Sequence, residues 1–143
     1  MSEPASEPAS TTVVLHGLDE VRASAGTALG PTGWVEITEE RLAAWSAACP
    51  GAPTGWLLLS LTNLFMPEMV RVEGVSAGLN VGTGAVRLAP DDVPAGTRVR
   101  ARGEVTAVEE ARGGVQTVVR IRVETATDPH PLVEVEALSR WLE

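Results

Sequence analysis

Lysine and tyrosine do not occur in this 143-residue chain, and phenylalanine and cysteine occur once each. Without Lys no Schiff base can form, so lysine-linked pyridoxal enzymes and class I aldolases are excluded. A single Cys permits neither an internal disulfide nor a cysteine metal cluster. No apolar run approaches the ~20 residues of a membrane helix. The longest, residues 56–66, is interrupted by Ser60, Thr62 and Asn63. Positive charge is scarce: 11 Arg stand against 19 Asp plus Glu, for a net charge of −8. That balance argues against a nucleic-acid or anionic-membrane binder, which would carry a basic patch. No basic region followed by an apolar stretch opens the chain, so no signal peptide and a cytoplasmic location are expected.

What is present is a globular composition, 44% hydrophobic. The length suffices for one domain with its own core. Residues 2–9 repeat Ser-Glu-Pro-Ala. Such an acidic, Pro-rich stretch cannot bury apolar area, so residues 1–12 are expected to be a disordered tail and 13–143 the domain.

The first half reads as short helices. Residues 18–25 suit a helix, with Asp19 and Glu20 at its positive end. Gly30-Pro31-Thr32-Gly33 is a turn, and residues 34–37 are a short strand. Thr38 then reads as an N-cap, with Glu39 and Glu40 in the first turn. Leu42, Trp45 and Ala48 or Cys49 recur at helical spacing. After Pro50-Gly51-Ala52-Pro53, Thr54 or Gly55 opens a second helix, expected to end near Met66, before Pro67. Trp56, Leu57, Leu58, Leu59, Leu61, Leu64 and Phe65 surround it with apolar side chains, which predicts burial on every side.

The second half reads as strands. Residues 75–81 and 84–88 are short ones. Residues 97–109 alternate, with Val99, Ala101, Val105 and Ala107 on one face and Arg98, Arg100, Arg102 and Glu104 on the other. Residues 115–125 and 132–141 repeat the alternation. Three such runs in succession predict an antiparallel sheet with one wet face. Turns at Ala111-Arg112-Gly113 and Asp128-Pro129-His130 set expected registers: Arg100 near Glu124, Glu104 near Arg120 and Arg122 near Glu136. Opposite charges so placed form an ordinary solvated face. The pattern supports an α+β fold in which one curved sheet wraps one long helix.

With these stretches in order, the chain resembles the MaoC-like (R)-hydratase/dehydratase family, in its single hot-dog form. The resemblance is carried by Trp34-Val35-Glu36-Ile37-Thr38, Gly55-Trp56-Leu57-Leu58-Leu59-Ser60-Leu61 and residues 72–80. Val86-Arg87-Leu88, residues 93–99 and Glu136-Ala137-Leu138-Ser139-Arg140 complete it. It implies a hot-dog fold, a dimer, and action on acyl thioesters held by coenzyme A or acyl carrier protein, with no cofactor and no metal. It also implies an Asp/His pair in a Gly-Asp-x-x-Pro-x-His-x-Asp segment, acting as general base and acid. A backbone N–H at the start of the buried helix would hold the thioester oxygen.

The sequence departs from that pattern where it matters most. Only Pro50, Gly51, Ala52, Pro53 and Thr54 separate Cys49 from Gly55. They include neither Asp nor His, so the dyad carries over to no residue. The oxyanion donor carries over to Gly55, because a backbone N–H needs no side chain. Thr54 stands where the family has a His, and Asn80-Val81-Gly82 matches its Asn-x-Gly. Candidate substrate-binding residues are therefore Gly55, Thr54, Trp56, Asn80 and Gly82. Candidate replacement catalytic residues are Asn80, Asn63 and Glu68, each of which also has an ordinary structural reading. His16 and His130 lack an evident carboxylate partner, Cys49 lacks a flanking His, and Ser60 lacks a base.

Two functions follow. The chain is a degenerate hydratase/dehydratase subunit, paired as a homodimer or heterodimer with another MaoC-like hot-dog subunit. Alternatively it is a repurposed lyase, isomerase or cyclase that tailors a polyketide-like intermediate. The second asks for a closed apolar pocket at the helix start, reached by Asn80 or Glu68.

Overall fold

The computed structural model describes residues 11–143. The expected tail lies outside the described residues, save for Thr11 and Thr12. The Thr12 hydroxyl donates to the Glu68 carbonyl at 2.8 Å.

The chain begins with β1 (Val13–His16), α1 (Gly17–Arg22), β2 (Ala28–Leu29) and β3 (Val35–Ile37). Three helices follow: α2 (Glu39–Ala48), α3 (Thr54–Ser60) and α4 (Thr62–Met69). The rest is strand: β4 (Val70–Glu73), β5 (Ala77–Leu88), β6 (Thr97–Ala111), β7 (Gly114–Thr125) and β8 (Val133–Leu142). The main sheet has the order β2-β6-β7-β8-β5, and β3 also pairs with β6. A parallel pair, β1 and β4, stands apart from it.

Period-two alternation builds the wall of the core. Val115, Thr117, Val119, Ile121 and Val123 of β7 are all buried, as are Val133 and Val135 of β8. On β6 the alternation holds for Val99, Ala101 and Val105, then fails. Ala107 is exposed, against expectation, and Val108 packs on the core instead. A bulge between Val105 and Ala107 is the cause, because an extra residue exchanges the two faces.

The charged face keeps two of its three expected registers: Arg100 is opposite Glu124 and Glu104 is opposite Arg120. Arg122, however, is opposite Glu134, and Glu136 is opposite Arg120. The loop closes differently from a simple hairpin. Leu132 N–H donates to Val123 O at 2.8 Å, while Asp128 and His130 form a separate small turn.

Thr38 caps α2 as expected, its hydroxyl accepting the Arg41 N–H at 3.1 Å. The buried helix differs from expectation in three ways. It breaks at Leu61, whose N–H is shared between Leu57 O and Leu58 O, both at 3.2 Å. Ser60 and Thr62 donate their hydroxyls to Leu57 O and Leu59 O, a back-bonding that bends helices. It then runs through Pro67 to Met69. Pro67 removes only the bond to Asn63 O, and Asn63 is exposed, so water can satisfy that carbonyl. Lastly, the helix is not buried all round. Leu58, Leu61, Phe65 and Met69 pack into the core with the sheet, but Trp56 is 48% and Leu64 53% exposed. A single sheet covers only one side of a helix.

Candidate active site

The start of α3 is assembled from three segments distant in sequence. Pro53 occupies the N-cap position and offers no side-chain acceptor. Asp92, in the loop after β5, takes over that role. Its Oδ1 accepts the Thr54 N–H at 3.0 Å and the Thr54 hydroxyl at 3.2 Å. The Thr54 oxygen in turn accepts the Val93 N–H at 3.0 Å. Next in line, Gly55 is buried against Leu88 of β5. A Cβ on Gly55 would lie 3.1 Å from the Leu88 Cβ, so the helix approaches the strand as closely as it does because residue 55 has no side chain.

In front of this helix start lies an open cleft of about 750 Å³. One wall is Leu42, Trp45 and Ser46 of α2, and the floor is Gly51, Ala52, Pro53 and Thr54. The other wall is Pro90, Asp91, Asp92 and Val93. The Trp45 indole N–H donates to Ala52 O at 3.3 Å, tying α2 to the short link. The titratable side chains of this lining are Asp91 and Asp92, both exposed.

The sequence-derived candidates divide in two. Thr54 lines the cleft, Gly55 is the next residue, and Trp56 lies on the same turn, half-exposed. The others sit elsewhere. Asn63 is nine residues further along the helix, roughly 13 Å at 1.5 Å per residue, and exposed rather than buried. Glu68 is about 20 Å along by the same measure. It is exposed, and its carboxylate accepts the Gly33 N–H at 3.3 Å. Asn80 and Gly82 lie on β5 at the far end from Leu88, roughly 20–25 Å by strand rise. The Asn80 Oδ1 accepts the Gly82 N–H at 3.2 Å, and Gly82 has φ 148°, beside a bulge in the β5–β8 pairing. Asn80 thus shapes backbone. His16 faces Glu73 at 3.4 Å and His130 faces Asp128 at 3.1 Å, both away from the cleft. Cys49 ends α2 half-buried.

Asp92 is the residue that sequence reasoning passed over. The signal available was two acidic residues set between Pro90 and Pro94, after a strand that leads back to the helix. Among the described residues no three His, Cys, Asp or Glu side chains group as a metal site requires.

The chain is 30% identical to the 3-hydroxyacyl-thioester dehydratase Z of Mycobacterium tuberculosis. The match takes in 86% of this chain and 94% of the relative. The chain belongs to the MaoC-like hot-dog family. The same likeness extends to the dehydratase Z of Mycobacterium bovis, at the same identity and coverage. No family model matches the sequence. Solved MaoC-like structures share the fold. One is the MaoC-like dehydratase of Rhodospirillum rubrum, with TM-score 0.62, 8% identity, and coverage of 84% of this chain and 94% of that one. Another is the (R)-hydratase of A. caviae involved in PHA biosynthesis, with TM-score 0.58, 18% identity, and coverage of 83% and 96%. The monoamine oxidase regulatory protein of Archaeoglobus fulgius matches at TM-score 0.64 and 12% identity, over 93% of this chain and 99% of that one. The α+β hot-dog architecture expected from the sequence is therefore shown for this MaoC-like chain.

Proposed function

We propose that this MaoC-like chain is an acyl-thioester hydratase/dehydratase-lineage subunit that shapes an acyl site without supplying acid–base catalysis. The observation that carries this reading is the lining of the helix-start cleft. It holds Asp91 and Asp92 but no His, so it has no group whose ordinary pKa lies near neutrality. Hydration across a double bond needs one group to take a proton and another to give one. The substrate class, an acyl thioester on coenzyme A or acyl carrier protein, is supported by the dehydratase relative. The alignment with that relative runs over 143 positions yet takes in 86% of this chain, which supports a segment missing here.

In this reading a second hot-dog subunit, bearing the Asp/His dyad, docks along β5. That strand is the edge of the sheet, and its Leu79 and Val81 are 46% and 44% exposed. Long apolar edge strands invite pairing with another chain. The repurposed-enzyme alternative draws its catalytic groups from Asn80, Asn63 or Glu68 and asks Asn80 or Glu68 to reach a closed pocket. The cleft is open, and none of the three lines it.

The test is to purify the chain alone and assay hydration of crotonyl-coenzyme A. No turnover above background is expected, and normal turnover would overturn the proposal. Co-expression with a dyad-bearing MaoC-like partner is expected to give a complex on sedimentation, which Val81→Arg disrupts.

A further inference from the structure

The sheet face turned away from the core is charged where Arg120 and Arg122 lie, and largely apolar at its other end. Residues directly opposite on neighbouring antiparallel strands share a face. Thr117 of β7 is buried in the core wall, so its neighbours Gln116 and Val118 point outward. The strand pairing carries this outward set across the sheet. Val118 is opposite Ala107 on one side and Leu138 on the other. Gln116 is opposite Glu109 and Arg140, and Arg140 is opposite the exposed Leu79. The Val105–Ala107 bulge creates this arrangement, because it turns Ala107 and Glu109 outward and Val108 onto the core.

Arg140 is poorly provided for at this end. Leu138 and Leu142 flank it on its own strand, and Leu79 stands beside it on β5. Its Nη2 donates to Gln116 Oε1 at 2.9 Å. Its Nε is shielded from solvent and has no hydrogen-bond partner among the described residues. No described carboxylate pairs with it, and the exposed Glu109 has no described cationic partner. A guanidinium among leucines loses solvation that a facing carboxylate would offset. Glu109, Gln116 and Arg140 form one row across three strands. The two charges stand two strand spacings apart, about 9.5 Å, with Gln116 between them.

We infer that this face is an interface with a second copy of this chain, packed sheet to sheet about a two-fold axis along β7. A two-fold contact must be self-complementary. This axis exchanges the two ends of the row, so Glu109 of each copy faces Arg140 of the other. Facing sheets lie about 10 Å apart, within reach of two long side chains. Size is matched as well as charge. Leu138 faces Ala107 of the other copy, Leu142 faces Ala111, and Val118 meets Val118 on the axis. The patch takes in four strands and about five residues of each, roughly 15 Å by 15 Å. That is the low end of interface sizes, so the dimer is weak and reversible. It uses a sheet face, whereas the docking of a dyad-bearing partner proposed above uses the β5 edge, so either holds without the other.

Sedimentation equilibrium of the Val81→Arg chain, in which the β5 edge is blocked, tests this over a series of concentrations. A reversible monomer–dimer equilibrium is expected. Adding Glu109→Arg or Arg140→Glu should each weaken it at least about a hundredfold, since each sets like charges face to face twice. An equal mixture of the two charge variants should recover the dimer. One variant carries two positive positions and the other two negative, so only the mixed pair is complementary. Circular dichroism establishes that each variant is folded. Val118→Glu, which brings two carboxylates together on the axis, gives an independent reading and should also dissociate the dimer. A monomer at every concentration, a dimer that tolerates these changes, or folded charge variants that fail to associate when mixed would each overturn the inference.

Discussion

Asp92 caps a helix that begins 38 residues before it, taking both the backbone N–H and the hydroxyl of Thr54 on one oxygen. The helix needs an outside acceptor because Pro53 supplies none, and the first N–H groups of a helix have no partner within it. Asp92→Ala should therefore destabilise the fold by about 1 kcal/mol, the usual worth of a helix cap. Thr54→Ser should retain the stability that Thr54→Ala loses, because the hydroxyl also accepts from Val93. Urea denaturation of the variants decides this. An unchanged midpoint for Asp92→Ala would show that the cap contributes nothing.

Gly55 and Leu88 make a second tight relationship. A methyl at residue 55 must displace the Leu88 side chain, since it would sit 3.1 Å from its Cβ and 3.4 Å from its Cδ1. Gly55→Ala is expected to cost roughly 1–3 kcal/mol through overpacking. Gly55→Ala combined with Leu88→Gly should cost less than the sum of the two single changes, because Leu88→Gly removes the Cβ that the new methyl would meet. Additive free energies in that double-mutant cycle would refute the contact.

These two contacts show what the sequence disclosed and what it withheld. The strands were legible because Val115 to Val123 and Val133 to Val135 alternate without fault, and the Thr38 cap was legible because all its parts are adjacent. The family resemblance pointed to Thr54 and Gly55, which stand at the start of α3. The Val105–Ala107 bulge was not legible, because Thr106 adds one residue with no local mark. Asp92 was not legible as a cap, because its partner lies beyond a whole strand. The exposure of Trp56 and Leu64 was hidden for a different reason. Apolar composition records that a helix can be covered on every side, not that its own chain has enough sheet to do so.

Arg100 tests the charged face. It is a nearly buried guanidinium, 8% exposed, stacked 4.4 Å from the centroid of Trp34 and bonded to Glu124 at 3.0 Å. Removing the carboxylate takes one compensating charge from a nearly buried cation, a larger loss than for a surface pair. Glu124→Gln should destabilise by about 2–3 kcal/mol, below the full cost of breaking a buried pair because Glu124 is itself 27% exposed. Trp34→Leu should cost about 1 kcal/mol through the lost cation–π contact. Thermal unfolding of both variants checks the order. A Glu124→Gln variant as stable as the parent would mean that this pair behaves as an ordinary surface one.

The loop between β7 and β8 should respond to acid. The Asp128 carboxyl is held below the usual carboxylate range, first by the His130 backbone N–H at 2.9 Å and then by the His130 ring at 3.1 Å. A carboxyl whose pKa is lowered on folding contributes order that is present above its unfolded pKa. That order is lost as the pH falls through the lower, folded value. The small turn at residues 128–130 should therefore persist through neutral and mildly acidic pH and open only below the ordinary Asp range. The His130 amide signal, followed by NMR from neutral to strongly acidic pH, should titrate with a midpoint below that of an unpaired Asp. Asp128→Asn should remove this transition. A midpoint in the ordinary range would show that the His130 N–H does not hold the carboxylate in solution.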